Sequence, residues 1–355
     1  MAQKKQMTLT DAAYVTRRTV RLSAIGAAVL FCLWLVWKGG VALWEKIHPT
    51  PPPPPTVGFG LLPHLPFPQQ PGKPQITLQL ETPTGGLPTF PSEAKVYFMP
   101  KPGSDFLDLD TAKKRAAALG FIGDPTKRSD QEYQWTSPGG YTFVINIVTD
   151  EFSYQYDYTT DQSLLRPQNL MGPDDSARAA KAFLSQVMTL PDDLVNGTVK
   201  DSYFRFTGSQ LSPVLSLSDA DFVRVNLFRE NYDGLPVLPL DPQKGQVWLL
   251  MSGSQDRYKQ FVQAEYHSFP VDPQRTETYP LVPVEKAWEA VQVGNYYLAE
   301  LDDQHGSTIT VRRVYLGYFD PQRPIGYMEP IYIFEGDSNF IGYVPAVDPS
   351  WFSRQ

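Results

Sequence analysis

The sequence predicts an α+β protein with one N-terminal transmembrane helix, a proline-rich linker, and two to three modules that each combine a helix with an antiparallel sheet. Three observations support this fold class. An apolar run covers residues 22–44 behind a basic leader, 11 prolines lie in residues 49–74, and later stretches pair helical patterns with several strand patterns. The predicted divisions are a leader at 1–21, a transmembrane helix at 22–44 and a linker at 45–75. The three modules follow at 76–160, 161–280 and 281–355.

The apolar run has the length of a membrane-crossing helix. It contains 23 residues, and roughly 20 are needed to cross the hydrocarbon core of a bilayer. Its single charged residue lies near one end, where the side chain reaches the headgroups, and tryptophans cluster at that end as they do at membrane interfaces. The predicted membrane-anchor residues are Arg17, Arg18, Arg21, Trp34, Trp37, Lys38 and Trp44.

Basic residues lie mainly before the run, and this asymmetry predicts the orientation. Cytoplasmic flanks carry the excess of Lys and Arg, so residues 1–21 are expected in the cytoplasm and everything after residue 46 outside it. The sequence thus predicts a single-pass protein of the plasma membrane, with the lipid bilayer as a partner through residues 22–44. A cleaved signal peptide is the alternative, but bulky Trp and Leu occupy the position of its small-residue cleavage site.

Charge and cysteine content restrict the function of the external part. The chain has a net charge of −7 although its leader is basic, so the residues after 46 are strongly acidic. An acidic surface repels nucleic acid, and we expect no nucleic-acid partner. The single cysteine, Cys32, lies inside the apolar run, so the external part must be stabilised by an ordinary core.

The linker is expected to be extended, because prolines favour polyproline II. It also carries apolar side chains that a plain spacer does not need. Docking of these residues on the chain's own folded part is favoured over docking on a neighbouring membrane protein. They are Phe59, Leu61, Leu62, Leu65 and Phe67.

Helix and strand patterns follow one another beyond Pro74. Helices are expected from Asp110 to near Gly120, from Pro173 through the apolar stripe that ends at Val187, and from Pro283 to Gly294. Strands are expected at 76–81, 94–99, 131–135, 141–148, 152–158, 203–207, 222–230, 246–252, 261–268, 308–318, 331–335 and 340–344. Groups of strands between single helices favour antiparallel sheets over regular βαβ units.

Segments of the second and third modules resemble a bacterial family. Residues 279–288 (YPLVPVEKAW) start a helix, residues 309–318 end in LGY, and residues 329–333 read EPIYI, while residues 233–237 read DGLPV. This arrangement resembles PepSY-like domains, especially those of single-pass extracytoplasmic regulators of cell-envelope histidine kinases. The resemblance covers about residues 175–350. It implies regulation through protein–protein contact without catalysis.

Catalysis is not expected, although one hydrolase pattern is present. Ser338 follows a strand in a Gly-Asp-Ser sequence, as the nucleophile does in one lipase and esterase family. Such enzymes need a histidine downstream to accept the serine proton, and none follows Ser338. A hairpin turn explains the segment more simply. None of the four histidines has a metal-binding spacing, and no phosphate or dinucleotide motif is found, so no cofactor is expected.

A row of tyrosines offers a possible interaction surface. Tyr154, Tyr156 and Tyr158 alternate with polar residues and would share one face of a strand. Exposed, they would suit recognition; facing inward, they would form part of the core. The sequence therefore predicts a membrane-anchored extracytoplasmic protein without catalytic activity that binds or regulates another envelope protein. A cell-wall or carbohydrate-binding domain is the alternative, and a hydrolase that uses Ser338 is the weaker one.

Overall fold

The computed structural model describes residues 9–47, 54–101, 103, 108–164, 169–208 and 210–353. The chain divides into two compact units, Met1–Pro54 and Pro55–Gln355. Parts of the predicted leader (residues 1–8) and linker (residues 48–53) lie outside the described residues.

The first unit contains one helix, α1 (Leu9–Ile47), of 39 residues. The predicted transmembrane helix at 22–44 is wrong as an element of the fold, because no described helix has both the length and the apolar character needed to cross a membrane. The helix neither begins nor ends with the apolar run. It continues from the basic leader through that run, which Ser23, Gly26, Lys38 and a pair of glycines interrupt.

The second unit is mostly sheet, with few helices. Its helices are α2 (Asp108–Ala118), α3 (Pro173–Val187), α4 (Asp192–Val195) and α5 (Val284–Gln292). Its strands are β1 (Thr77–Leu80), β2 (Glu93–Phe98), β3 (Thr126–Lys127), β4 (Glu132–Thr136), β5 (Tyr141–Asn146), β6 (Phe152–Tyr156), β7 (Val199–Phe206), β8 (Leu211–Val214), β9 (Phe222–Leu227), β10 (Val237–Leu238), β11 (Val247–Ser252), β12 (Phe261–Tyr266), β13 (Asp272–Pro280), β14 (Tyr297–Glu300), β15 (Thr308–Phe319), β16 (Tyr327–Met328), β17 (Pro330–Gly336) and β18 (Ile341–Pro345).

The largest sheet has nine strands in the order β3-β4-β5-β6-β12-β11-β9-β7-β8. Every neighbouring pair is antiparallel. Helices α2 and α3 bury one face, around Phe143, Val225 and Leu249, with their apolar stripes. The buried stripe residues are Ala112 and Ala116 of α2 and Ala180, Phe183, Leu184 and Val187 of α3. The opposite face has a smaller aromatic cluster around Phe222 and Trp248.

This sheet corrects the predicted arrangement of separate modules, each with its own sheet. Strands from residues 76–160 and from residues 161–280 belong to the same sheet, because β6 pairs with β12. The fold class is therefore mixed α and β around large shared sheets. The individual predicted strands and the three predicted helices are confirmed, since each overlaps an observed element.

The second sheet has six strands, in the order β1-β15-β17-β18-β14, with β10 also pairing with β15. Helix α5 covers one face through Val284, Ala287 and Val291. A third sheet of three strands has the order β13-β2-β16.

The described part of the predicted linker is docked on this second unit. Leu62 is fully buried and Leu65 is 8% exposed. Phe67 stacks on Tyr297, with 5.0 Å between ring centroids, and the amide of Gln70 forms hydrogen bonds with both the backbone N–H and the carbonyl of Leu298. The expected docking of linker residues on the chain's own folded part is confirmed for these residues, whereas Leu61 remains 57% exposed.

Candidate binding cleft

A cleft of about 920 Å³ lies beside strand β15 in the second unit. It is lined by Phe90, which precedes β2, by Ala94 in β2, and by Leu235 and Pro236 before β10. Leu316 of β15 also lines the cleft. Concave sites with apolar walls and a few polar groups are the usual form of binding sites in proteins.

The cleft follows a gap in the pairing of the six-stranded sheet. On one side, β15 pairs with β17 along most of its length. On the other side, β1 pairs only with residues 308–311 and β10 only with residues 318–319. Among the described residues, no strand pairs with residues 312–317 on that side. At about 3.3 Å per residue, the gap is roughly 20 Å long.

The hydrogen bonds at the β10 end show which backbone groups face the gap. The N–H of Phe319 donates to the carbonyl of Glu329, on the side of β15 that pairs with β17. The N–H of Tyr318 donates to the carbonyl of Pro236, on the side that pairs with β10. Because successive residues of a strand point their backbone groups to opposite edges, Val314 and Leu316 face the gap. Neither has a backbone partner on that edge within the described parts of the chain.

Pro236 prevents β10 from closing the gap. In a parallel ladder, the N–H of residue 236 would donate to the carbonyl of Leu316, but proline has no N–H. The backbone also passes close to β15 at this point, since a Cβ on Gly317 would lie 2.8 Å from the carbonyl oxygen of Pro236. The strand entry at residues 233–237 thus fixes the end of the gap.

Charged side chains surround the cleft, and most of them are paired. Lys95 Nζ lies 2.9 Å from Asp233 Oδ1, and Arg313 Nη1 lies 3.0 Å from Glu335 Oε2. The hydroxyl of Tyr315 also donates to Glu335, and burial followed by this contact raises the pKa of the tyrosine.

Two further charges line the cleft without an opposite charge. Lys200 has no carboxylate partner in the described structure; its ammonium lies 5.2 Å from the ring centroid of Phe228. Glu93 likewise has no basic partner among the described side chains. These two groups are available to a charged ligand.

The three tyrosines predicted as a possible interaction surface do not form one exposed row. Tyr154 is 6% exposed and packs against Phe183 of α3. Tyr156 is half-buried, and its hydroxyl donates to Asp161 at 2.7 Å. Strand β6 ends at Tyr156, so Tyr158 lies beyond it. The ring of Tyr158 packs on Phe222.

The predicted anchor residues all belong to α1. The side chains of Trp34, Trp37, Trp44, Lys38 and Arg18 are exposed, and Lys38 Nζ lies 5.9 Å from the ring centroid of Trp34. The side chains of Arg17 and Arg21 lie outside the described ones.

Ser338 occupies the hairpin turn between β17 and β18, with a positive φ of 54°. Its carbonyl accepts a hydrogen bond from the N–H of Asp302. The histidines in the described part of the chain bond elsewhere: His64 to Ser353, His305 to Gly306, and His267 to two glutamates. The structure therefore brings no described histidine into hydrogen-bond contact with Ser338.

His267 belongs to a separate polar pocket. Its Nδ1 lies 2.9 Å from Glu151 Oε1 and its Nε2 lies 3.2 Å from Glu265 Oε2. These two hydrogen bonds raise the pKa of His267 to about 9, so the imidazole is a cation at neutral pH. In this charged form both ring nitrogens donate hydrogen bonds, one to Glu151 and one to Glu265.

Comparisons with known proteins add little to this geometry. No family model matches the chain, and no curated protein is significantly similar to it. One solved structure, an uncharacterized protein from Eubacterium rectale ATCC 33656, is 13% identical, covers 71% of this chain and 81% of its own, and has a TM-score of 0.39. Similarity at this level supports no argument about function.

Sequence reasoning did not identify the cleft. Its residues come from segments far apart in the chain, including Ala94, Lys200, Leu235 and Leu316. The sequence signal that bears on it is the DGLPV segment at residues 233–237, which is part of the resemblance to PepSY-like domains. What the sequence does not show is that the strand ends there against the middle of β15.

Proposed function

We propose that this protein binds another protein, without catalysis, through the cleft beside β15. The observation that carries the proposal is the gap in the six-stranded sheet. Val314 and Leu316 present backbone donors and acceptors to this gap, and Leu316 also lines the apolar cleft beside it. Sheet edges of this kind are templates for pairing with another chain. The resemblance of residues 279–288 and 309–318 to PepSY-like regulators favours the same class of function.

The experiment is site-specific photocrosslinking with the full-length protein. A photoreactive amino acid replaces Lys95 at the rim of the cleft, and the matched control places it at Ile122, which is 95% exposed and does not line the cleft. We expect a discrete protein adduct from position 95 in an extract of the source cells and none from position 122.

The adduct must also depend on the cleft itself. Replacing Ala94 by Trp fills the cleft, and we expect it to reduce the yield of the adduct at least about fivefold, because binding sites lose affinity when their apolar walls no longer fit. Equal labelling from both positions, or an adduct that Ala94→Trp leaves unchanged, would contradict the proposal. Recovery of polysaccharide in place of protein would favour the carbohydrate-binding alternative.

A further inference from the structure

We infer that the partner contributes an extended peptide segment that enters the cleft as an additional strand and pairs with Val314 and Leu316 of β15. This inference rests on the proposed function and adds the mode of binding. The occupant would complete the row of strands that β1 and β10 leave open along one edge of β15.

The gap matches the length of a short strand. Strands β1 and β10 both run parallel to β15 and lie along the same edge of it, one at each end of residues 312–317. A segment of four to six extended residues spans the roughly 20 Å between them. A longer regular strand would collide with the end of β1 or with Pro236.

The unpaired backbone groups favour a peptide over a small apolar ligand. Val314 and Leu316 are 8% and 4% exposed, so their amides and carbonyls are poorly placed to be solvated. Buried backbone groups without partners are costly. An extended peptide supplies donors and acceptors at the matching spacing, and strand addition gains its affinity from these backbone bonds.

The charges that line the cleft indicate which side chains the bound peptide carries. Because Lys95 is paired with Asp233 and Arg313 with Glu335, the charges left for a ligand are Lys200 and Glu93. They favour a segment with one acidic and one basic residue, and apolar side chains toward Phe90 and Leu235. Pairing also excludes proline at the two residues that face β15.

The test uses linear octapeptides selected from a random display library on the full-length protein. Retained peptides are screened for competition with one another and for loss of binding to Ala94→Trp. Each peptide that passes is then resynthesised with single backbone amides N-methylated in turn, which removes one donor and leaves the side chains unchanged.

We expect the loss of binding on N-methylation to alternate along the peptide, at every second residue. N-methylation at two alternate residues should weaken binding about tenfold or more, and methylation of the residue between them less than about threefold, since only alternate amides face β15. Lys200→Glu should weaken peptides that contain an acidic residue, whereas Lys114→Glu, on the exposed face of α2, should not.

Each other outcome counts against the inference. Cleft-dependent binding that N-methylation leaves unchanged would overturn strand addition while leaving protein binding at the cleft intact. Failure to select any peptide that requires the cleft, or a dimer that buries β15 of two copies, would overturn the inference of a partner segment. Failure of both this test and the photocrosslinking would overturn the proposed function as well.

Discussion

Glu329 is the most unusual single residue of the second unit. It joins β16 to β17, is fully buried, and neither of its carboxylate oxygens has a hydrogen-bond partner among the described residues. Burial raises its pKa well above the ordinary value. A buried carboxylate without a counter-charge is most stable in its neutral form. The folded protein therefore favours the neutral form of Glu329 up to a higher pH than the unfolded chain does.

Replacing Glu329 by Gln should change the pH dependence of stability. Because the pKa of Glu329 is higher in the folded than in the unfolded state, its stabilising proton is fully effective below about pH 4.3 and its contribution is lost as pH rises through the folded pKa. The free energy of unfolding of the wild type should fall relative to Glu329→Gln by up to about 1.4 kcal/mol per pH unit in that window.

Urea unfolding between pH 4 and pH 8 measures this difference. The exposed carboxylate Glu289 on α5 provides the control, Glu289→Gln. If the curves of wild type and Glu329→Gln stay parallel over the whole range, Glu329 does not titrate differently on folding.

A buried ion network connects the two large sheets. The guanidinium of Arg229 contacts Asp193 of α4 and lies 3.1 Å from Asp320, which follows β15. It also donates to Ser268 and to the carbonyl of Phe269. All three charged side chains are less than one-tenth exposed.

Replacing Arg229 by Met should destabilise the protein strongly, because it leaves two carboxylates buried without a counter-charge. We expect a loss of about 3–5 kcal/mol in the free energy of unfolding. Arg205→Met breaks the exposed pair with Asp219 and should cost no more than about 1 kcal/mol. Equal losses in the two variants would show that the Arg229 network does not stabilise the fold.

At the scale of elements, the docked linker is held by several different contacts. Phe67 packs edge-on against Phe319, with 4.9 Å between ring centroids, in addition to stacking on Tyr297. Lys73 donates to the carbonyls of Gly294 and Tyr296. These contacts make residues 55–75 an integral part of the second unit.

Phe67→Ala should therefore loosen this segment. We expect a loss of about 2–3 kcal/mol in the free energy of unfolding, since the side chain is half-buried between two aromatic rings. Proteolysis within residues 55–75 should become faster. Leu61→Ala, at an exposed position of the same segment, should change stability by less than about 0.5 kcal/mol. Unchanged proteolysis in Phe67→Ala would show that other contacts suffice.

The sequence predicts the elements better than their arrangement. Alternating patterns such as residues 141–148 locate strands because one face is buried, and the stripe of α3 locates its helix. Short strands such as β3 and β16 are not predicted, since two residues carry no period. The long helix α1 was divided wrongly because a window of apolar residues does not mark where a helix begins or ends.

At the scale of the whole molecule, the decisive contacts join distant parts of the chain. Strand β1 pairs with β15 although Thr77 and Thr308 are far apart in sequence, and β6 pairs with β12 across two predicted modules. Periodicity shows that a strand has a buried face but not which strand is its neighbour. The cleft depends on these pairings, so no local pattern could reveal it.

Residue-resolved amide hydrogen exchange of the free protein tests the central claim most directly. If the edge of β15 is unpaired, the amides of Val314 and Leu316 have no hydrogen bond to break before they exchange. They should then exchange at least about tenfold faster than the amides of Tyr315, which faces β17, and Tyr318, which donates to Pro236. Exchange of Val314 and Leu316 as slow as that of Tyr315 and Tyr318 would show that the edge is already paired, and would contradict a binding site there.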